Sequence, residues 1–426
     1  KSALYHLHGE YKLDSAKIKG VNLGLFTFGG NGRLYAPNSR GTIFDELRIT
    51  ERDVEVPDGL GGTGVRDSAV FDTSYRKIFN WEFGVYLGWE RKFFKEKLKV
   101  SFAARLDKNQ NFPFVASPAF SLVYLPNRDH TIRAGFSSAV RNPTLADQYL
   151  NYDVGRAILA GNINGFQDLI TVESFTDYLN SLNSDTLDYF DVAPIVPEKV
   201  RTLEAGYRGF FFGKLYVDAS YYLSFYQDFI GFNLGVDAQF DTILGLPQSV
   251  QAYRVAANST NEVITQGASI GLSYYFKNKY TLSGNYSWNK LQKTNEDDPI
   301  IPAFNTPEHK FNVGFTARDL GKAKMGFFGF SLNYKWIQGF LFEGSPQFTG
   351  FVPTYDMFDA QVSYRIPSEH VTFKLGVSNL FGLQPLFEEG SASQRFDNAF
   401  NNLNAQVYGG PRVGRMAYFS VFFKWN

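Results

Sequence analysis

The residues that could do chemistry are few and scattered along the chain. The sequence contains no cysteine, which excludes thiolate nucleophiles, disulfides and cysteine-type zinc sites within these residues. Among the five histidines, His6 and His8 are spaced at i and i+2 and would share one face of a strand. Such a pair could coordinate a metal ion, but no third ligand lies nearby in the sequence. We interpret both as polar surface or interior residues and expect neither a bound metal nor a cofactor.

A short acidic segment, TNEDDP at 294–299, places Glu296, Asp297 and Asp298 together. Their oxygens are of the type that binds calcium, yet a calcium loop spaces its ligands regularly and this segment does not. We therefore predict an exposed acidic loop here.

Catalysis and nucleic-acid binding find no support in the sequence. A hydrolase would need a nucleophile, a base and an orienting group brought together, and no such set can be placed. The chain is therefore expected not to be an enzyme, and no catalytic residue is predicted. Lysine plus arginine and aspartate plus glutamate number 42 each, so the overall charge indicates no nucleic-acid partner.

The elements that must position any site follow a period of two. In KLYVDASYYLSFYQDF (214–229), apolar residues alternate with polar or tyrosine residues. This period of two is typical of a strand with one apolar and one polar face. The same alternation recurs at 98–106, 328–336 and 371–377. These segments have the length of tilted strands that span a membrane, whereas no apolar run is long enough for a membrane helix.

The connections also alternate, between short and long. Short polar connections, such as RKFFKEK (91–97) and GFFFGK (209–214), alternate along the chain with long connections. The long connections are predicted at 29–80, 107–116, 140–200, 230–265, 290–308, 337–356 and 381–411. This asymmetry, with aromatic residues gathered at strand ends, is typical of outer-membrane barrels. The sequence predicts an all-β protein, a transmembrane antiparallel β-barrel of the bacterial outer membrane with about fifteen strands.

Two motif regions add a family resemblance. SSAVRNPTLADQYL (137–150) and IVPEKVRTLEAGYRG (195–209), with VSNLF (377–381), resemble segments of the TonB-dependent receptors. The matching residues are Arg141, Pro143, Leu145, Tyr149, Pro197, Glu198, Lys199, Glu204, Gly206, Tyr207 and Asn379. We interpret Arg141, Glu198 and Glu204 as structural, because charged groups at strand ends commonly satisfy one another and the exposed backbone. Pro143, Pro197 and Asn379 are assigned the same structural role.

The resemblance implies a barrel of twenty-two strands, of which this chain would supply the eighth to the last. On this expectation residues 1–426 are a single transmembrane β-barrel domain, the C-terminal portion of the barrel, and the N-terminal plug domain is not among these residues. The even strand number of bacterial barrels independently requires a strand before the first one seen here.

The function implied by the resemblance is nutrient import. A siderophore, cobalamin, oligosaccharide or peptide would bind at the extracellular loops, and a TonB-type energy-transducing complex would drive its import through the plug. Other expected partners are outer-membrane lipids and a surface lipoprotein. An alternative role is a structural or accessory subunit of a larger outer-membrane secretion or assembly complex.

The connection at 140–200 is the predicted ligand-binding segment. It carries aromatic residues among Asn, Asp and Gly, a mixture suited to stacking on a ligand while hydrogen-bonding its polar edges. The candidates are Tyr149, Tyr152, Phe166, Phe175, Tyr178 and Tyr189. Packing within the loop itself is the equal alternative.

Overall fold

The structure of the chain is a computed structural model. It describes residues 2–14, 17–18, 21–38, 43–44, 48–57, 63–72, 77–155, 157–241, 245–293, 304–322, 325–343, 349–366, 368, 370–382 and 414–424. The acidic loop predicted at 294–299 and most of the connection at 381–411 lie outside the described residues.

Strands dominate the described residues, with two short α-helices. In chain order the elements are β1 (Ala3–Leu13), β2 (Lys17–Ile18), β3 (Val21–Asn22), β4 (Leu25–Ala36), β5 (Arg48–Pro57), β6 (Thr63–Asp72), β7 (Asn80–Phe93), β8 (Leu98–Asn109), β9 (Phe112–Tyr124), β10 (His130–Arg141), α1 (Leu145–Tyr149), β11 (Asn151–Asp153), β12 (Ile158–Ala160), β13 (Phe166–Ile170), α2 (Val172–Ser181), β14 (Tyr189–Val192), β15 (Glu198–Phe211), β16 (Leu215–Gln227), β17 (Ile230–Phe240), β18 (Pro247–Asn258), β19 (Val263–Phe276), β20 (Tyr280–Lys293), β21 (His309–Lys322), β22 (Gly326–Ile337), β23 (Phe340–Glu343), β24 (Thr349–Val352), β25 (Tyr355–Ile366), β26 (Val371–Ser378) and β27 (Met416–Phe423). No helix among the described residues has the length and apolar character needed to cross a membrane.

One antiparallel sheet of fifteen strands organises the molecule. Its order is β1-β4-β7-β8-β9-β10-β15-β16-β19-β20-β21-β22-β25-β26-β27, so each strand pairs with the next long strand along the chain. This confirms the predicted all-β class and the predicted number of strands. The order is linear, with β1 at one end and β27 at the other.

The two faces of the large sheet differ as the sequence period requires. On one face large apolar side chains are exposed, among them Leu203, Tyr221 and Ile270. On the other face polar groups bond across strands: Asp218 accepts from Arg133 at 2.9 Å and from Arg208 at 2.8 Å. We call these the outward and the inward face. An exposed apolar face of this kind marks a surface that contacts a partner or a membrane.

The connections confirm the predicted asymmetry with two corrections. The predicted long connection at 107–116 is wrong, because β8 and β9 extend to Asn109 and Phe112 and leave residues 110–111 between them. The side chain of Asn109 accepts a hydrogen bond from the Asn111 backbone at 3.0 Å, which closes a tight turn within the polar segment. The predicted connection at 29–80 begins too early, since β4 continues to Ala36.

Two long connections build a second sheet at the loop end of the large one. Its order is β11-β12-β18-β17-β13-β14, with strands from 151–192 and from 230–258. Two buried clusters hold it together: Ala160, Leu169, Val192, Val255 and Ala257 form one, and Ile170, Phe175, Tyr178 and Val236 form the other. This loop sheet therefore has its own hydrophobic core.

Glycine substitutions within β19 test the inward packing. A Cβ on Gly267 would lie 2.4 Å from the Tyr222 ring and 2.7 Å from the Trp288 carbonyl oxygen, whereas on Gly271 its nearest neighbour is 3.8 Å away. We expect Gly267→Ala to lower the free energy of unfolding by about 1–3 kcal/mol through overpacking. Gly271→Ala, the matched control, is expected to leave it unchanged or raise it by up to about 1 kcal/mol. Denaturant unfolding in detergent measures both, and equal effects would contradict the described packing.

Candidate ligand cavity

A polar cavity lies on the inward face at the loop end, where β4, β8 and β10 end and β7 begins. Its volume is about 820 Å³. The residues that line it include the cations Arg33, Arg105 and Arg141 and the acids Glu82 and Asp107. Lys108 also borders the cavity, but its ammonium group donates to the Asn109 and Phe112 carbonyl oxygens on the outward side. The lining is therefore charged, with an excess of positive groups.

Strand register aligns the charged residues of the wall. Arg33 on β4 faces Glu82 on β7, and Glu82 faces Asn109 on β8. The Arg33 Nη1 atom lies 3.2 Å from Glu82 Oε1, which also accepts from the Tyr35 hydroxyl at 3.0 Å. Glu82 is thus held by two donors from β4.

A second group of charged side chains lies two residues further along the same strands, at Asn31, Gly84 and Asp107. The Arg105 Nε atom donates to both oxygens of Asp107 at 2.8 Å, and its Nη2 atom donates to Asn31 Oδ1 at 2.6 Å. Gly84 lies between Asn31 and Asp107 in the register. A Cβ at Gly84 would lie 2.2 Å from Arg105 Nη2, so glycine leaves the space in which the guanidinium lies flat.

The cavity floor is a network of buried amides. Gln148 Oε1 accepts from Asn80 at 3.3 Å and from Asn111 at 2.6 Å, and Gln148 Nε2 donates to the Pro143 carbonyl at 2.7 Å. Gln148 is 2% exposed and Asn80 is 1% exposed. Because unmade bonds at such depth are costly, these side chains hold fixed orientations.

Helix α1 positions Gln148 and Tyr149. Thr144 caps its first turn, with its side chain accepting from the Asp147 backbone at 3.1 Å while Asp147 accepts from the Thr144 backbone at 2.8 Å. This reciprocal pair is a capping box, which fixes the direction in which a short helix begins. The sequence TLAD at 144–147 is the local signal for it.

Two of the motif charges meet at the root of the loop sheet. Arg141 Nη2 lies 3.0 Å from Glu198 Oε2, which also accepts from the Ile230 backbone at 2.9 Å. Glu198 is 5% exposed. This contact ties the ends of β10 and β15 to the start of β17. Pro143 and Pro197, next to the same strand ends, are both buried.

The other two motif residues lie elsewhere. Glu204 is further along β15, opposite Gly135 on β10 and Tyr222 on β16. Asn379 follows β26, with a φ of 50° and a backbone N–H that donates to Asp359 at 2.8 Å. Asparagine tolerates this left-handed conformation better than most residues, which suits it to ending the strand.

The six predicted ligand-contact aromatics divide into three pairs. Phe175 and Tyr178 are 7% and 1% exposed and belong to the core of the loop sheet, and the Tyr178 hydroxyl donates to the Gly245 carbonyl. Tyr152 and Tyr189 are about half exposed. The structure therefore gives the first two a packing contact and leaves the second two facing solvent.

Tyr149 and Phe166 line a smaller cavity between α1 and the loop sheet. Its volume is about 250 Å³, and Tyr253, Asn151 and Asn164 also line it. The Phe166 and Tyr253 rings are 5.8 Å apart. Burial, together with the charge of Asp237, raises the pKa of Tyr253, so that its hydroxyl stays neutral at physiological pH.

Sequence reasoning missed most of the larger cavity. The alternation at 98–106 places Arg105 on the polar face of its strand, but it does not bring Arg33, Glu82 or Asp107 to the same place. Arg33 and Glu82 are 49 residues apart in sequence and meet only through strand register. The alternation marked the face of each residue, whereas its partners across the sheet had no sequence signal.

The histidine pair has a different environment from a metal site. His8 Nε2 lies 3.3 Å from the Tyr86 hydroxyl, which donates to Glu10 at 2.7 Å. Within the described part of the chain, no group of three His, Asp or Glu side chains is arranged to hold a metal ion.

Comparisons with known proteins agree on one family. Residues 9–380 match the family model described as TonB dependent receptor-like, beta-barrel. No curated protein matches the chain.

Three solved structures illustrate the shared fold. A ferric enterobactin receptor mutant from Pseudomonas aeruginosa, in complex with enterobactin, has a TM-score of 0.63 at 15% identity over 99% of this chain and 54% of its own. The siderophore receptor PirA from Acinetobacter baumannii has a TM-score of 0.58 at 14% identity, with 99% and 54% covered. The FrpB iron transporter from Neisseria meningitidis has a TM-score of 0.59 at 12% identity, with 99% and 55% covered. The chain thus spans about half the length of these proteins.

The buried carboxylate of Glu198 generates a stability prediction. Glu198→Ala removes the acceptor of the Ile230 N–H and the partner of Arg141, so we expect a loss of about 1–3 kcal/mol in the free energy of unfolding. Glu198→Gln, the matched control, keeps an acceptor oxygen and is expected to lose less. Denaturant unfolding gives the energies, and limited proteolysis at 228–262 reports whether the loop sheet loosens. Equal losses would show that the backbone bond is unimportant.

Proposed function

Because the chain belongs to the TonB-dependent receptor-like β-barrel family, we propose that it acts as an outer-membrane active-transport receptor. The protein binds a nutrient at its extracellular end and imports it with TonB-coupled energy. Its role is transport without covalent chemistry.

The observation that carries this proposal is the charged cavity on the inward face. A cavity of about 820 Å³ accommodates a small molecule. It lies beside the loop sheet, where a ligand arriving from outside would first meet the barrel. Its side chains are held in place by mutual bonds, so a ligand would meet a preorganised surface.

The charge of the lining favours an anionic, oxygen-rich ligand. Three cations, Arg33, Arg105 and Arg141, line the cavity against two acids, and Arg33 and Arg141 keep about half of their side-chain surface exposed. Guanidinium groups bind carboxylates and similar oxyanions well because they offer several donors in a plane. Among nutrient classes we propose a siderophore, the class named for the similar receptor PirA.

Aromatic residues of the loop sheet supplement the cavity. We propose that Tyr149, Tyr152, Phe166 and Tyr189 contact the ligand, since each keeps exposed surface or lines the smaller cavity. Phe175 and Tyr178 are proposed to support these contacts by packing the loop sheet.

The remaining proposals concern environment and partners. We propose that residues 1–426 form a single transmembrane β-barrel domain in the bacterial outer membrane, with the outward face against lipid. A TonB-type complex acts on this barrel through a plug domain, as in the family. A surface lipoprotein is the proposed partner for ligand delivery.

Arginine substitutions at mid-strand test the lipid-facing assignment. Ile270 is 39% exposed on the outward face, and its neighbour Ser269 bonds Ser220 on the inward face at 2.8 Å. We expect Ile270→Arg to cost about 2–4 kcal/mol because it places a charge in hydrocarbon. Ser269→Arg removes one hydrogen bond and is expected to cost about 1 kcal/mol. Unfolding measured in phospholipid vesicles compares them, and equal costs would contradict the lipid contact.

Charge removal in the cavity tests the binding site. Arg33→Gln with Arg141→Gln removes two cations from the wall, and we expect the Kd for a ferric siderophore to rise roughly tenfold or more, as charge-assisted bonds are lost. Arg365→Gln is the control, since Arg365 pairs with Asp319 at the opposite end of the sheet. Binding to the purified intact protein is measured by calorimetry with ferric siderophores, cobalamin, oligosaccharides and peptides. An equal Kd for the double variant and the control would rule out the cavity as the binding site.

Uptake in cells tests the energy coupling separately from binding. Cells that lack a working TonB system should bind the labelled ligand at the surface but fail to accumulate it. Accumulation at the normal rate in such cells would contradict TonB-coupled import even if binding is confirmed.

A further inference from the structure

Exposed aromatic residues stand at backbone positions that disfavour them. Phe94 and Phe212 lie in tight turns with φ values of 51° and 53°, and they are 75% and 92% exposed. The left-handed positions of such turns normally hold glycine or asparagine, as Asn278 does in the turn after β19. A bulky side chain there is strained, and burial within the chain does not offset the strain in either case. A contact outside the chain would explain both positions.

Exposed cations surround these aromatic residues. We define the tight-turn rim as residues 94–97, 125–129, 212–214 and 277–279. Its cations are Lys95, Lys97, Arg128, Lys214, Lys277 and Lys279, all exposed. Its acids are Glu96 and Asp129, and Glu96 is already engaged by Lys92 at 3.4 Å. None of the six cations forms an ion pair with a described residue, so the rim carries an uncompensated positive charge.

Backbone hydrogen bonds join the turns of the rim into one edge. The Lys97 carbonyl accepts from Leu125 at 2.7 Å, and the Asp129 carbonyl accepts from Phe210 at 2.9 Å. Further along, the Lys214 carbonyl accepts from the Tyr275 N–H at 2.8 Å, and the Lys279 carbonyl accepts from the Arg318 N–H at 2.9 Å. Each turn is thus bonded to the strand that follows it, and the charges are presented at fixed spacing.

An aromatic band adjoins the rim. Phe211 contacts Phe212 and Tyr207, with ring centroids 6.4 and 6.3 Å apart. Nearby, Tyr274 lies 5.8 Å from Phe276 on the outward face of β19. Aromatic rings gather where an apolar layer meets a polar one, so the rim lies at the depth of lipid headgroups if the outward face contacts lipid.

We infer that the tight-turn rim binds anionic phospholipid headgroups, with the Phe94 and Phe212 rings at the boundary between headgroups and acyl chains. This inference rests on the proposed outer-membrane location. Lipid is the occupant because it surrounds every turn of a barrel at once, whereas a protein partner would need only one patch. Unpaired lysines at an interface favour anionic over zwitterionic headgroups.

Removal of rim charges tests the headgroup preference. The intact protein is placed in vesicles containing equal phosphatidylglycerol and phosphatidylcholine, and native mass spectrometry counts the lipids retained after mild extraction. We expect Lys95→Gln with Lys214→Gln to lower the ratio of retained phosphatidylglycerol to phosphatidylcholine about fivefold per charge. The matched control is Lys310→Gln with Lys335→Gln, opposite Ser287 and Asn312 in the register. Equal ratios for the two double variants would overturn the inference.

A spin label tests the position of the ring. Because the chain has no cysteine, Phe212→Cys can carry a single nitroxide, and Ser184→Cys in the loop sheet serves as the aqueous control. The label at 212 should be more accessible to oxygen and less accessible to a water-soluble nickel chelate than the label at 184. Equal nickel access would place the ring in water, which would overturn the inference and favour a soluble protein partner.

The same vesicles separate this inference from the proposed function. Insertion of the unaltered protein is scored as a heat-resistant band on a gel. Failure to insert into any vesicle would contradict the proposed function and this inference together. Insertion without enrichment of phosphatidylglycerol would contradict this inference alone.

Discussion

The continuous antiparallel hydrogen-bond ladder is the constraint on which the rest of the structure depends. Fifteen strands pair in chain order, and each interior strand satisfies its backbone through two neighbours. With the proposed lipid contact on the outward face, no water is available to replace these bonds, and an unbroken ladder satisfies the backbone without it. Strand pairing then imposes the period of two, and this period separates an apolar outward face from a polar inward one.

The inward face shows how the ladder admits large polar side chains. Long groups lie flat across the wall where the neighbouring strand has a glycine, as Arg105 does beside Gly84 and Tyr222 does beside Gly267. Lying flat brings each group to partners on adjacent strands, as when Tyr222 bonds Asn289 at 2.9 Å. The hydrogen bonds hold these side chains rigidly against the sheet. Because the side chains lie along the sheet, they leave open the space that forms the cavity.

The sequence predicts those features that repeat at short range. The alternation at 215–225 predicts the two faces of β16, and the turn-forming segments predict the number of strands. The loop sheet has no such signal, because β12 pairs in parallel with β18 about 95 residues later, with Leu159 opposite Arg254. The connection at 107–116 was wrong for a local reason, since the amide of Asn109 makes a turn that composition alone does not show. The cavity depends on register among β4, β7 and β8, which composition does not fix.

Helix α1 connects the two cavities physically. Gln148 lines both of them, and its amide cannot turn without breaking bonds to Asn80, Asn111 and Pro143. On the other side, Glu198 holds Ile230 at the start of β17. A displacement of the loop sheet would therefore strain the hydrogen bonds of Gln148 and Glu198 and so alter the cavity wall. A ligand that contacts Tyr149 from above and Arg141 from below would bridge the loop sheet and the barrel, and its affinity would depend on their relative position.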